Sequence, residues 1–139
     1  IETYYNKYPK LKKYIASQIS LAREKGYVET LLGRRRYLKD INSRNSIVRG
    51  GAERNAINAP IQGSAADTIK KAMVLLFKAG IIPQIQIHDE LCISIKNKEE
   101  AVKVKNIMEN AVRLAVPNKV DYAAGLNWGN IKQEELWKK

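Results

Sequence analysis

From the amino end, Tyr4, Tyr8, Leu11, Ile15, Ile19 and Ala22 recur at steps of three and four, the spacing of one apolar helix face, and Gly26 is placed to end that helix. The period then changes. Tyr27 to Leu31 and Arg35 to Ile41 read as strands around Gly33, a basic hairpin, and Asn42 to Asn45 reads as a loop. A second helix is expected from Ser46 to Ala59, stopped near Pro60, because proline disfavours helical backbone in the residue before it. A third is expected from Pro60, tolerated in a first turn, with Ile61, Ala65, Ile69, Ala72 and Leu76 as its apolar face and Gly80 at its end.

Strand spacing returns at "IQIHDELCIS". Ile85 and Ile87, then Leu91, Ile93 and Ile95, alternate as in a half-buried hairpin whose turn holds His88, Asp89 and Glu90. After Asn97 a fourth helix is marked by Ala101, Val104, Met108, Ala111 and Leu114 and closed by Pro117. Val120 to Ala124 reads as a last strand. No internal repeat, low-complexity segment or interdomain linker interrupts the pattern.

Composition narrows the function classes. A chain of 139 residues, 45% hydrophobic and 28% charged, is a soluble globular unit or a piece of one. With 25 Lys and Arg against 14 Asp and Glu the formal charge is +11, which makes nucleic acid the leading partner, since each neutralised phosphate releases counterions. No lipidation signal, signal peptide or bilayer-spanning apolar run accompanies that charge, so no membrane partner is expected. The single cysteine, Cys92, reads as a small buried hydrophobe in a reducing compartment. The chain opens on Ile1 and enters a helical pattern at once, which reads as a fragment or a processed piece.

Two polar sets carry candidate chemistry. Asp89 and Glu90, adjacent at a hairpin tip, would hold negative charge rigidly at a cleft edge, and Mg²⁺ favours one or two carboxylates plus phosphate oxygens; a solvated turn fits the same residues. Arg54, Asn58 and Gln62 follow at intervals of four across the expected break at Pro60. All three donate hydrogen bonds, and the minor groove offers acceptors at nearly sequence-independent positions, so such a cluster would read correct pairing rather than sequence. Solvation of Arg54 and capping of broken helix ends by Asn58 and Gln62 is the alternative.

"GYVETLLGRRRYLKDI", "AERNAINAPIQGSAADTIKKAM" and "IQIHDELCISI", in this order, closely resemble the C-terminal part of family A DNA polymerases, the bacterial DNA polymerase I type. The resemblance covers essentially the whole chain, down to Asn127 and Trp128. It implies an α+β fold: part of a right-hand polymerase domain, with amphipathic helices on a small antiparallel palm sheet that carries a catalytic β-hairpin. Residues 1–80 would be the fingers-side helices, the basic hairpin and the helix reaching the palm, and residues 81–139 the palm hairpin, helix and C-terminal strand.

Residue by residue, the resemblance implies that Asp89 coordinates two catalytic Mg²⁺ ions, that Glu90 is its acidic neighbour and that His88 lies near the primer terminus. It implies that Arg54, Asn58 and Gln62 touch the minor groove at the primer end. Arg34, Arg35 and Arg36, beside Lys39, are expected to track the phosphate backbone. Primer-template DNA, deoxynucleoside triphosphates and the remainder of the polymerase chain are the implied partners, in bacterial cytoplasm at the nucleoid. Two family features are absent, a "DYSQIE"-like segment with the other metal-binding aspartate and a nucleotide-binding helix followed by "NFGxxYG", so half an active site is expected. A non-catalytic nucleic-acid-binding module and a single-subunit RNA polymerase fragment remain as alternatives.

Overall fold

In the computed structural model, which describes residues 2–130, the single helix expected at the amino end is two, α1 (Glu2–Lys7) and α2 (Pro9–Lys25). Pro9 is the cause. It pushes Tyr8 out of helical backbone, to φ −124° and ψ 67°, and then starts α2 where its missing N–H costs nothing. Gly26 ends α2 as expected, left-handed, with its N–H donating to Ala22 O at 2.8 Å. Of the expected apolar face Ala22 is buried, Leu11, Ile15 and Ile19 are half-buried, and Tyr4 and Tyr8 are exposed.

The basic hairpin forms with shorter strands than expected, β1 (Tyr27–Glu29) and β2 (Arg35–Tyr37), paired antiparallel as Tyr27 with Tyr37, Val28 with Arg36 and Glu29 with Arg35. Its loop is closed by Thr30 N donating to Arg34 O at 2.9 Å and Gly33 N donating to Thr30 O at 3.0 Å.

The expected break at Pro60 does not occur. One helix, α3 (Ser46–Lys78), 33 residues long, runs through it. A proline inside a helix removes one hydrogen bond and crowds the carbonyl four residues back, at a cost of about 3 kcal/mol. Contacts on both sides of Pro60 offset that cost. Before it, Ala52 and Ala56 are buried in a cluster with Ala22, Val28, Leu38 and Ile41, and Ala59 packs against the cluster. After it, Ser64 and Asp67 are buried and bonded to the hairpin loop. Ile61 and Ala65, expected in the core, are exposed; the loop occupies the neighbouring face, and its polar groups are met by Ser64 and Asp67.

The chain divides into two compact units, Ile1–Asp67 and Thr68–Lys139. The core of the first is the cluster just described. In the second, Ile69, Ala72 and Leu76 of α3 are buried with Ile81, Met108 and Ala111. The helix stops as a Schellman motif: Gly80, at φ 78°, donates to Phe77 O at 3.0 Å, and buried Ile81 donates to Leu76 O at 2.9 Å.

The second hairpin pairs β3 (Ile85–Ile87) with β4 (Glu90–Cys92). Its register, Ile85 with Cys92, Gln86 with Leu91 and Ile87 with Glu90, keeps the expected half-buried alternation at Leu91, Ile93 and Ile95 and corrects it at Ile85 and Ile87. A two-residue turn puts Ile85 and Ile87 on the face of Glu90 and Cys92, while Leu91 packs on the core from the other face. Both isoleucines are therefore exposed and Cys92 is only half-buried.

Helix α4 (Lys98–Glu109) is capped by Asn97, whose side chain accepts from Glu100 N at 2.9 Å. It ends before Leu114, and Glu109 Oε1 accepts from Val120 N at 3.0 Å. That bond takes a backbone donor a ladder would need, and the strand expected at Val120 to Ala124 is replaced by irregular chain with an isolated bridge at Ala124. Trp128–Asn130 is a short 3₁₀ turn. The described elements are a mixture of helices and two small antiparallel ladders, the α+β composition expected.

Gly63 is where the hairpin loop meets α3. A Cβ there would lie 2.6 Å from Thr30 Cγ2 and 3.2 Å from an Arg34 terminal nitrogen, whereas one at Gly50 meets nothing nearer than 3.6 Å. Gly63→Ala is expected to destabilise the chain by about 1–3 kcal/mol through overpacking. Gly50→Ala, inside the same helix, is expected to stabilise it by about 0.5–1 kcal/mol. Denaturant unfolding of both variants checks the pair; equal effects would mean that the loop does not approach the helix this closely.

Candidate nucleic-acid interface and acidic hairpin

Alternation along β2 gives its neighbouring arginines opposite faces. Arg35 shares a face with Glu29, Tyr27 and Tyr37: its Nε donates to Glu29 Oε1 at 2.8 Å, and its guanidinium lies 4.6 Å from the Tyr27 ring centroid. The Glu29 hydrogen bond and the electron-rich Tyr27 hold its pKa above the ordinary arginine value. Arg36 shares the other face with buried Val28. Its own side chain is exposed and makes no ion pair or hydrogen bond among the described residues.

Arg34 sits in the loop rather than the ladder. Its Nε donates to Asp67 Oδ1 at 2.8 Å and one terminal nitrogen donates to Gly63 O at 3.1 Å. Thr30 Oγ1 donates to Asp67 Oδ2 at 2.7 Å and accepts from Arg34 N at 3.1 Å. Leu31 N donates to Ser64 Oγ at 2.8 Å, and Ser64 in turn donates to Pro60 O at 2.5 Å. Thr30, Gly63, Ser64 and Asp67 are the residues that sequence reasoning missed. The available signal was Gly63 next to Ser64 with Asp67 one turn further on in "QGSAAD", a stretch that carries the family resemblance.

Arg54, Asn58 and Gln62 are all exposed and lie on α3. Because the helix is continuous, each step of four turns the chain only about 40° beyond a full circle, so the three share one face. The shared face was expected at a corner between two helices and is instead produced by one continuous helix. Gln62 also lines a cavity of about 190 Å³ together with Glu29, Thr30, Arg34, Arg36 and Gly63. Three of the sequence-predicted residues, Arg34, Arg36 and Gln62, thus meet at one cleft in the first unit.

In the second unit, Asp89 and His88 form the turn of the acidic hairpin and Glu90 begins β4, all three exposed. His88 has φ 53°, the only positive value outside glycine among the described residues. Histidine is one of the few side chains enriched in that region, and Gln86 Nε2 donates to His88 O at 3.0 Å across the turn. Two adjacent carboxylates on a short turn are a hard-oxygen donor set that fits Mg²⁺ sharing phosphate oxygens. They do not make a closed protein cage: no group of three or more His, Cys, Asp or Glu side chains among the described residues is arranged to hold a metal. No described helix is long and apolar enough to cross a membrane.

Comparison with known proteins bears on both hairpins at once. The family model for DNA polymerase family A matches residues 1–130. DNA polymerase I of Lactococcus lactis subsp. cremoris is 49% identical over 141 residues, covering 95% of this chain and 16% of the relative. That of Bacillus caldotenax is 48% identical over 144 residues with 95% and 16% covered, and the thermostable enzyme of Thermus filiformis 43% identical over 141 with 96% and 17% covered. The chain thus spans about one-sixth of the length of these relatives. Among solved structures, the POL domain of Pol1 from M. smegmatis, in complex with DNA primer-template and dNTP, matches with TM-score 0.76 and 42% identity over 84% of this chain and 22% of that one. A match running through the basic hairpin, the proline-bearing helix and the acidic turn alike places this chain in DNA polymerase family A.

Proposed function

We propose that this chain is part of a template-directed DNA polymerase, in which a primer 3′-hydroxyl attacks the α-phosphate of a deoxynucleoside triphosphate and pyrophosphate leaves. The family match is the observation that carries the reading. The M. smegmatis relative, whose structure holds DNA primer-template and dNTP, supports the same two partners here. Residues 1–80 belong to the fingers side and residues 81–139 to the palm, with β3 and β4 as the catalytic hairpin, and the remainder of the polymerase chain completes the domain. Such an enzyme acts in replication or repair in the bacterial cytoplasm, at the nucleoid.

In this reading Asp89 is the principal Mg²⁺ ligand and Glu90 supports it, their backbone held by the two-residue turn. Mg²⁺, when bound, supplies Lewis-acid stabilisation of charge on the phosphate and hydroxyl oxygens. The two carboxylates would hold the metal at the tip of the hairpin, and His88 presents its ring beside the primer terminus. Arg54, Asn58 and Gln62 donate into the minor groove of the terminal pair. In this reading the opposing carboxylate belongs to the remainder of the polymerase chain. The named relatives are DNA polymerases, which favours deoxynucleotides over the substrates of a single-subunit RNA polymerase.

In the full-length protein that carries this segment, Asp89→Asn is expected to lower nucleotide incorporation by about 10²–10³-fold or more, the scale for losing one electrostatic stabiliser of a transition state. Primer-template affinity should stay near parental, and Glu90→Gln should cost less than Asp89→Asn. Steady-state incorporation alongside DNA binding by anisotropy separates the two effects. Full activity in Asp89→Asn would remove Asp89 from the metal site, whereas a parent protein that binds primer-template without incorporating nucleotide would leave the non-catalytic binding module as the better reading.

Gln62→Ala is expected to change extension from matched against mismatched termini by about three- to tenfold, the worth of one hydrogen bond, with little change in overall affinity. Primer extension from both kinds of end checks this. A uniform loss of binding with the match-to-mismatch ratio intact would remove Gln62 from the minor groove.

A further inference from the structure

The three consecutive arginines are chemically alike in the sequence and unlike in the structure. Arg35 is neutralised across the ladder by Glu29 and stacks on Tyr27. Arg34 is neutralised by Asp67, whose side chain is only 10% exposed, and gives a further donor to Gly63 O. Arg36 alone of the three has no carboxylate partner among the described residues. It lies on the ladder face that carries Val28 and lines two clefts. One contains Gln62; the other, about 460 Å³, contains Lys39, Tyr37 and Asn55.

We propose that Arg36 is the hairpin arginine that meets a DNA phosphate, and that Arg34 is a positioning residue, tied to Asp67 and Thr30, that sets the hairpin against α3 so that Arg36 and Gln62 share one cleft. The proposal rests on the nucleic-acid reading above and divides the work of its basic hairpin. Counterion release follows net cationic charge delivered to phosphate. A guanidinium already balanced by a carboxylate at 2.8 Å delivers little, and moving Arg34 to a phosphate would break its ion pair with the buried Asp67. The neutral bonds around the pair act in the same direction. Leu31 N on Ser64 and Thr30 on Asp67 fix both sides of the loop, and β2 leaves that loop with Arg36 on the cleft side.

The test uses the full-length protein and a primer-template duplex, with affinity measured across a salt series and primer extension measured in parallel. Arg36→Ala, an exposed site, should make the log–log salt slope shallower by about one unit, the loss of one phosphate contact. Asp67→Asn keeps the shape of the side chain and removes its charge. It should leave the slope no steeper while lowering matched-end extension several-fold, and adding Arg34→Ala to it should change the slope no further. Thr30→Ser, which keeps the hydroxyl on Asp67, should restore parental extension where Thr30→Ala loses it. A parental slope in Arg36→Ala would overturn the assignment. So would tighter, more salt-dependent binding in Asp67→Asn, the mark of a freed Arg34 reaching phosphate itself. A parent protein that neither binds primer-template nor extends it would overturn the polymerase reading and this proposal together, whereas an active parent with the wrong order of slopes overturns only the proposal.

Discussion

The carboxylate of Asp67 is the constraint on which the first unit depends. The residue is buried, and its two oxygens accept from Thr30 Oγ1 and Arg34 Nε. Leaving such a group with one partner missing costs about 1–3 kcal/mol, so the loop, the helix and the arginine are mutually obligatory. The ion pair itself is half open to water on the arginine side, and its contribution is discounted accordingly. Geometry matters more than charge here. Gly63 admits Thr30 to the helix surface, and Ser64 uses its one hydroxyl both to accept from Leu31 and to donate back to Pro60.

That docking also explains why a helix survives a proline. Pro60 lacks the N–H that would bond Ala56 O, and its ring crowds that carbonyl. The turns on either side are held by contacts that do not depend on the missing bond: buried alanines on one flank, and the polar lock to the hairpin on the other. Continuity of α3 is what lines up Arg54, Asn58 and Gln62, since an unbroken 3.6-residue period keeps steps of four on one face.

The second unit solves a different problem, the display of negative charge on a short turn. Two residues close the hairpin, and the non-glycine backbone at positive φ falls to His88, steadied by Gln86 on its carbonyl. The register that follows is unforgiving. It gives the core Leu91 and leaves Ile85, Ile87 and Glu90 on the opposite face, so the acidic tip and an exposed apolar strip share one side of the ladder.

Much of this was legible from residues alone. Apolar periodicity located the helices, Gly26 and Asn97 marked their ends, and the residues flanking Gly33 and Asp89 announced hairpins, because caps, turns and amphipathic faces are local and each is written within a few residues. Family membership was legible for the same reason, since "NAPIQGSAAD" and "HDE" are contiguous strings. The splitting of the first helix at Pro9 was equally local and was overlooked. What the sequence could not decide was whatever depends on residues far apart in the chain. Pro60 reads as a break until the hairpin is seen bonded one turn beyond it. Ile87 reads as core until the register sets it beside Glu90. Arg34, Arg35 and Arg36 read as equivalent until Asp67 and Glu29 take two of them, because the partner of a charge is chosen by tertiary proximity, which a linear pattern does not encode.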